Sequence, residues 1–256
     1  MIAMLWRVGS VVERNVLVAR RVWLVMLSGL VEPLLYLAGI GFGLGSLIDS
    51  VTVGDRTVPY ATFVAPAMLA VSAMNGAVYD STVNVFFKLR HRKAYDTMLV
   101  TPLGIGDVAA GEVTWAQLRG VVYSAGFLLV LVVTHTVSWW SALLALPAAA
   151  VVGFTFAALG MMVTTFLRSW QDLDLVTLGQ VALFLFSTTF FPLSSYPAVL
   201  GAVVQVTPLY HAVELIRALC LEQIGWGLLG HLAYLLGVML VAFAVATRRL
   251  GRILVT

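Results

Sequence analysis

"FFKLRHRKAYDTMLVTPLGIGDVAAGE", residues 86–112, decides how the rest of the chain is read. It holds seven charged side chains: Lys88, Arg90, Arg92, Lys93, Asp96, Asp107 and Glu112. The whole chain of 256 residues is 61% hydrophobic and only 11% charged. With a mean hydropathy of +0.99, it lacks the charge that keeps a soluble globule dissolved, so its class is integral membrane protein. The island is then a place where the chain leaves the bilayer.

Working outward from it, runs of about 20 apolar residues give six spans in helical form. They fall at about 22–45, 60–85, 113–134, 140–166, 175–192 and 228–247. Between the last two, residues 192–222 are apolar but broken by Pro197 and Pro208 and carry Glu214, Arg217 and Glu222, which suits short re-entrant helices. The expected fold is an all-α membrane protein with six transmembrane helices.

Orientation follows from Lys and Arg. An N-terminus in the cytoplasm puts thirteen basic residues inside (Arg7, Arg14, Arg20, Arg21, Lys88, Arg90, Arg92, Lys93, Arg119, Arg168, Arg248, Arg249, Arg252) and leaves Arg56 and Arg217 outside. Both termini are then cytoplasmic, in a multi-pass protein of the cell membrane, and the short tail 248–256 lies inside with them. Residues 1–21, interrupted by charges, do not read as a cleavable signal. Leu5, Val8, Val12 and Val16 form one stripe there, which predicts an interfacial helix ahead of the first span.

Within the island, Tyr95, Met98, Leu99, Pro102 and Leu103 recur at helical spacing, while Asp96, Thr97 and Thr101 fall on other faces. Pro102 limits the helix, and Asp107 can cap the next one. Anionic lipid accounts for Lys88, Arg90, Arg92 and Lys93. It does not account for the amphipathic helix after them, whose exposed apolar face predicts a protein partner.

Several chemistries are excluded. A single cysteine, Cys220, forms no disulfide framework and no Cys-rich metal site. There is no Gly-Lys dipeptide and hence no phosphate-cradling loop, no Gly-x-Ser-x-Gly and no His-Glu-x-x-His. No enzyme is expected, nor a nucleic-acid partner, because the basic residues gather on no aromatic-interleaved face. His211 and Glu214 stand three apart, but a lone pair is better read as hydrogen-bonded structure than as metal ligands. The glycines of "GIGFGLG" (39–45) are read as close helix packing.

Membrane carboxylates remain. Glu32 falls near mid-bilayer, where an ionisable group marks a functional site by default, yet Pro33 beside it also fits a kink. Asp80, with Asn75 and Asn84, gives the second span a polar edge, read first as helix–helix hydrogen bonding. Phe184, Phe186, Phe190, Phe191 and Tyr196 read first as interface belt and packing. Transport driven by a separate motor fits best. A proton-coupled secondary carrier would need a relay that Glu32 and Asp80 supply only thinly, and a non-transport scaffold is the third reading.

At these residues the chain resembles the membrane subunit of ABC type-2 (ABC-2) exporters. The similarity is to the branch of the nodulation protein J lipooligosaccharide permeases and, more distantly, to the daunorubicin-resistance permeases. It is carried in order by "VEPLLYLAGIGFGLG" (31–45), "YATFVAPAMLAVSAMNGAVYDSTVNVFFKL" (60–89), "YDTMLVTPLGIGDVAAGEVTWAQLRG" (95–120), "FFPLSSYP" (190–197) and "PLYHAVELIRALCL" (208–221). The resemblance implies that segment 88–106 holds a coupling helix docking on the ATPase through Tyr95, Met98, Leu99, Thr101, Pro102 and Leu103. It implies two permease copies, a homodimer or a close paralogue pair, working with two ATPase subunits that carry ATP and Mg; this chain itself binds no cofactor. It implies outward movement of a hydrophobic or amphipathic substrate, a lipid-linked oligosaccharide, glycolipid or drug. The substrate pathway would involve Glu32, Asn75, Asp80, Phe184, Phe186 and Phe190, with Met161, Met162 and Phe166 in the apolar wall. The outer gate would be built from Phe191, Pro192, His211, Glu214 and Arg217. Where branch members often carry "SGTFFP", this chain reads "STTFFP" (187–192), a stiffer turn at that gate.

Overall fold

The computed structural model describes residues 2–20, 31, 34–43, 45, 47, 48, 50–53, 56–90 and 93–254. Among these, the elements are α1 (Ile2–Ala19), a π-helical turn (Leu37–Phe42), the strands β1 (Ser50–Val53) and β2 (Arg56–Pro59), and then helices throughout. These are α2 (Tyr60–Arg90), α3 (Ala94–Leu99), α4 (Ile105–Val133), α5 (Trp139–Thr164), α6 (Asp172–Leu185), α7 (Ala198–Val206), α8 (Pro208–Cys220) and α9 (Gly227–Leu254). Four of them, α2, α4, α5 and α9, are long and apolar enough to cross a membrane. The α7–α8 pair, bent by 84°, qualifies together as a broken span or a re-entrant loop.

α2 is the core. It is apolar all round, and a helix of that kind is stable only when surrounded. Its many alanines and Gly76 let α4, α5 and α8 come close, so most of its side chains are fully buried. Near its end the helix widens into a π-turn over Asp80–Asn84. There Ser81 and Thr82 donate back to the carbonyls of Ala77 and Val78 at 2.7 and 2.6 Å, occupying acceptors that the wider turn loosens. α9 runs along α5 with most of its surface outward, as a lipid-facing span would. The antiparallel ribbon β1–β2 pairs Ser50 with Pro59 and Val53 with Arg56, and it leads into α2 at one end of the bundle.

Half of the span expected at 22–45 lies outside the described residues. The one expected at 175–192 forms a helix of only 14 residues, ending at Leu185, about 21 Å at the helical rise and short of a bilayer core. Its continuation, Ser187, Thr188 and Thr189, is rich in hydroxyl groups that compete with the helical ladder and is wholly buried in irregular form. The glycine run also behaves differently from expectation. Gly41 approaches Leu37 and Ala61, whereas a Cβ on Gly39 would meet open space.

Candidate functional site

At one end of the bundle, four elements meet around one buried carboxylate. Lys88, on the last turns of α2, donates to Glu112 of α4 at 2.7 and 2.9 Å and to the side-chain oxygen of Asn15 of α1 at 2.9 Å. Asn15 also donates to Glu112, at 3.2 Å. The Glu112 side chain is 2% exposed, so its charge is held almost wholly by this network. Lys88 therefore serves an internal ion pair, not the lipid surface expected of it. Arg90 is likewise drawn inward, to the carbonyl of Leu167 at 3.1 Å.

The buried line of α1 is Val11 and Asn15, beside the expected Val8–Val12–Val16 stripe. Gly111 of α4 permits this seat: a Cβ there would lie 2.6 Å from that of Val11. Opposite, Trp6, Leu17 and Val18 are exposed, giving α1 a second apolar face. Arg7 reaches Asp107 at 3.6 Å, and Asp107 in turn accepts from the Gly104 amide at 3.0 Å to cap α4, as its position implied.

α3 lies across this cluster and corrects the expected docking face. Tyr95 and Met98 turn inward and are buried, while Leu99 and Leu103 are half-buried against the core. Burial raises the Tyr95 phenol well above its ordinary range, and the Glu112 carboxylate beside it adds to that. The apolar stripe pays more by covering the ends of α2 and α4 than by facing water. What α3 leaves outward is Asp96, Thr97, Val100, Thr101 and Pro102, with Val100 88% exposed. Thr101 closes the helix by donating its amide and hydroxyl to Met98 at 3.0 and 2.6 Å.

About two turns deeper, Asp80 accepts from Arg119 at 3.1 Å and from Asn84. Arg119 also donates to the Tyr123 hydroxyl at 2.7 Å and lies over the rings of Tyr79 and Tyr123. The polar edge of α2 is thus helix–helix bonding, as read, but its partner is an arginine that charge counting had assigned to the cytoplasm. Asn75 meets Gln180 of α6 at 3.4 Å. Glu32 lies outside the described residues.

At the far end, Arg217 of α8 is buried. It donates to Glu214 at 2.6 Å, to the Thr188 carbonyl at 2.6 Å and to the Phe63 carbonyl at 3.4 Å, with its guanidinium over the Phe63 ring. The Thr188 backbone, with a φ of 57°, is left-handed. The chain holds that strained backbone by bonding the Thr188 hydroxyl to Glu214 at 3.0 Å. Tyr60 donates to the Phe190 carbonyl at 3.3 Å, tying the segment to the start of α2. Of the expected gate residues, Glu214 and Arg217 meet here. His211 pairs with His231 of α9, Pro192 is half-buried, and Phe191 points outward.

Between the two ends, α2, α5, α6 and α7 frame an apolar groove of about 830 Å³, with Phe186, Val78, Val163 and Val203 in its wall. Of the expected apolar wall, Phe186 alone lines it. Phe184 meets Tyr36 at a tilt and Phe190 edge-on, Met161 is buried in the core, Met162 borders a separate shallow groove along α9, and Phe166 lies under Arg249. At the groove's end, backbone amides of Arg168 and Ser169 hold the Asp172 carboxyl below its usual range.

Residues 7–221 match the family model for the ABC-2 type transporter. The chain belongs to the ABC-2 type transporter family. Among its relatives, the nodulation protein J of Sinorhizobium fredii is 32% identical over 232 residues, covering 90% of this chain and 87% of that protein. The nodulation protein J of Rhizobium leguminosarum bv. trifolii is 32% identical over 245 residues, 95% and 92% of the two chains. That of Azorhizobium caulinodans is 27% identical over 232 residues. This ABC-2 chain is thus the membrane subunit of an ABC transporter, a multi-pass protein of a class that works with an ABC ATPase subunit.

Sequence reading missed Asn15, Glu112, Arg119, Thr188 and His231. Glu112 and Arg119 carried a legible signal, since each is a charge inside an apolar run. Asn15 and His231 carried none, because their roles depend on elements distant in sequence, and Thr188 was marked only as a stiffer turn, without its partners.

Proposed function

We propose that the chain is the permease of an exporter, moving an amphipathic molecule outward on energy from a separately encoded ATPase that binds ATP and Mg. Two permease copies work with two ATPases, and the full permease has six spans, with α6 and the segment after it as the fifth. The observation that carries this reading is the Asn15–Lys88–Glu112 cluster, which binds α1, α2 and α4 into one seat that α3 covers with Tyr95. A load applied to the outward face of α3 would be delivered to two spans at once. Docking falls to Val100, Thr101, Pro102, Asp96 and Thr97, with Leu99 and Leu103 contributing their open edges and Tyr95 and Met98 acting from beneath as support. α1 rests in the inner membrane interface through Trp6, Leu17 and Val18. The apolar groove suits the greasy part of an amphiphile. That most basic side chains gather at the α3 end supports a cytoplasmic placement of both termini.

The test is copurification and vesicle transport. Tagged chain should bring down a nucleotide-hydrolysing subunit, and efflux into vesicles should require ATP. Transport that ignores ATP and follows a proton gradient would give the case to the secondary carrier. Lipid alone on α3, with no hydrolase retained, would remove the coupling assignment.

A further inference from the structure

At the end opposite α3, His211 on α8 and His231 on α9 face each other with their Nδ1 atoms 2.8 Å apart. The contact is braced on both sides. Tyr234 stacks on His211 with ring centroids 3.8 Å apart and planes 20° from parallel, and its hydroxyl donates to the Val206 carbonyl on α7. Tyr210 sets an edge against both imidazoles, at 5.3 and 5.9 Å. Both histidines are half-buried, so the pair borders the protein surface while the two tyrosines fix its geometry. The pair therefore joins the 84° corner between α7 and α8 to the first turns of α9.

Two imidazoles bond through Nδ1 only if one nitrogen carries hydrogen and the other offers a lone pair. A neutral pair satisfies this, and so does a singly protonated pair, in which the imidazolium donates to its neutral neighbour. A doubly protonated pair cannot. Both Nδ1 atoms then carry hydrogen, and two positive charges meet with no acceptor between them.

The surroundings decide whether anything could hold that state together. On α8, Glu214 is the nearest carboxylate, already engaged by Thr188 and Arg217, and Arg217 adds a positive charge behind it. Tyr210 and Tyr234 are neutral. α7 offers only carbonyls here, and α5 has no titratable side chain. From α2, Tyr60 is committed to Phe190 and Tyr79 belongs to the Arg119 cluster. Tyr196 is neutral, and Glu222 is bound to Ser138 and Ser141. Among the described residues, Glu214 is the one carboxylate whose charge reaches both rings, and it is already shared with Arg217.

We propose that the His211–His231 contact is an acid-released latch, closing the α7–α8 corner onto α9 at neutral pH and letting it go when both rings are protonated. Release is local. The rest of α8 stays anchored through Arg217, and α9 stays tied to α5 through the bond from Thr155 to the Leu235 carbonyl at 3.2 Å. Thr207, between the two short helices, is the hinge. Acid on this side of the membrane would therefore reshape the cover at this end of the permease without unfolding it.

The experiment uses the full chain in lipid nanodiscs. Cys220 is replaced by serine, and spin labels are placed at the exposed positions Val203 and Leu229 and diluted with unlabelled chain. The distance between labels should hold constant near neutrality. It should lengthen or broaden below about pH 6, where both rings can carry a proton. His211→Phe, which keeps the stack on Tyr234, and independently His231→Phe should each abolish the acid transition while leaving helix content unchanged. A transition that survives in both variants would overturn the latch, as would none in the parent down to about pH 4.5. So would a distance change that follows added zinc and is reversed by a chelator, which would mark a metal bridge instead.

Discussion

At Lys88 the ammonium is encircled by Asn15 and Glu112, and the ion pair is nearly closed to solvent, with 14% and 2% of the two side chains exposed. Removing one partner of such a pair strands the other, at a cost of about 3–5 kcal/mol. Glu112→Gln and Lys88→Met should therefore each lower the thermal midpoint in detergent. The double variant should recover part of the loss, and a simple sum of the single effects would argue against coupling. Tyr95 gives a pH signature in the same cluster. Its phenol is raised above an ordinary value near 10, so the folded state keeps the proton more tightly than the unfolded chain. The stabilisation this represents is complete below about pH 10 and is lost as pH climbs through the folded value. A Tyr95→Phe chain should hold its thermal midpoint further into the alkaline range than the parent. At Thr188 the left-handed backbone and the bond to Glu214 oppose each other. Thr188→Gly should accordingly leave stability within about 1 kcal/mol of the parent.

α3 shows how an element can reverse the face assigned to it. Helical spacing places Tyr95, Met98, Leu99, Pro102 and Leu103 on one side, of which Pro102 alone is exposed, but it does not say whether that side meets a partner or the chain's own core. The core wins because α2 and α4 end beneath it with apolar side chains to cover. The two faces are separable by substitution. Val100→Asp, on the outward face, should release the ATPase subunit while the permease keeps its thermal midpoint. Met98→Asp places an unpaired charge in the interior and should lower stability as well as coupling. Copurification read alongside thermal melts distinguishes them, and retention of the ATPase by the Val100 variant would remove α3 as the docking element. The seat of α1 is equally specific. Gly111→Leu would drive a side chain into Val11 and should detach the N-terminal helix, seen as faster proteolysis near Arg14.

For the whole molecule, the two ends divide the chemistry. The α3 end gathers most of the basic side chains, while the β1–β2 ribbon, the buried segment 187–190 and α7–α8 lie at the other end. In a Cys220→Ser chain, a membrane-impermeant maleimide added to intact cells should label Thr57→Cys, with Thr97→Cys reacting only after permeabilisation. The opposite pattern would invert the topology. Between the ends lies the groove framed by α2, α5, α6 and α7, and α6 buries one side chain, Leu173, with Leu178, Val181 and Leu185 exposed away from the groove.

Class, four of the spans and the charge bias were legible from the sequence because they depend on quantities summed along it: hydropathy over about 20 residues, the balance of Lys and Arg, and the helical recurrence of apolar positions. The family was legible too, through motifs that recur in order. Segment 187–192 was not, since nothing local reveals that Arg217, 29 residues from Thr188, fixes its backbone. The same holds for Glu112, whose partners lie 97 and 24 residues away. Which way α3 faces, where the fifth apolar stretch stops being helix, and which histidine His211 meets were decided only by the tertiary structure. In each case the deciding energy is a pair term between groups brought together by folding, and a pattern read along one chain contains no such pairs.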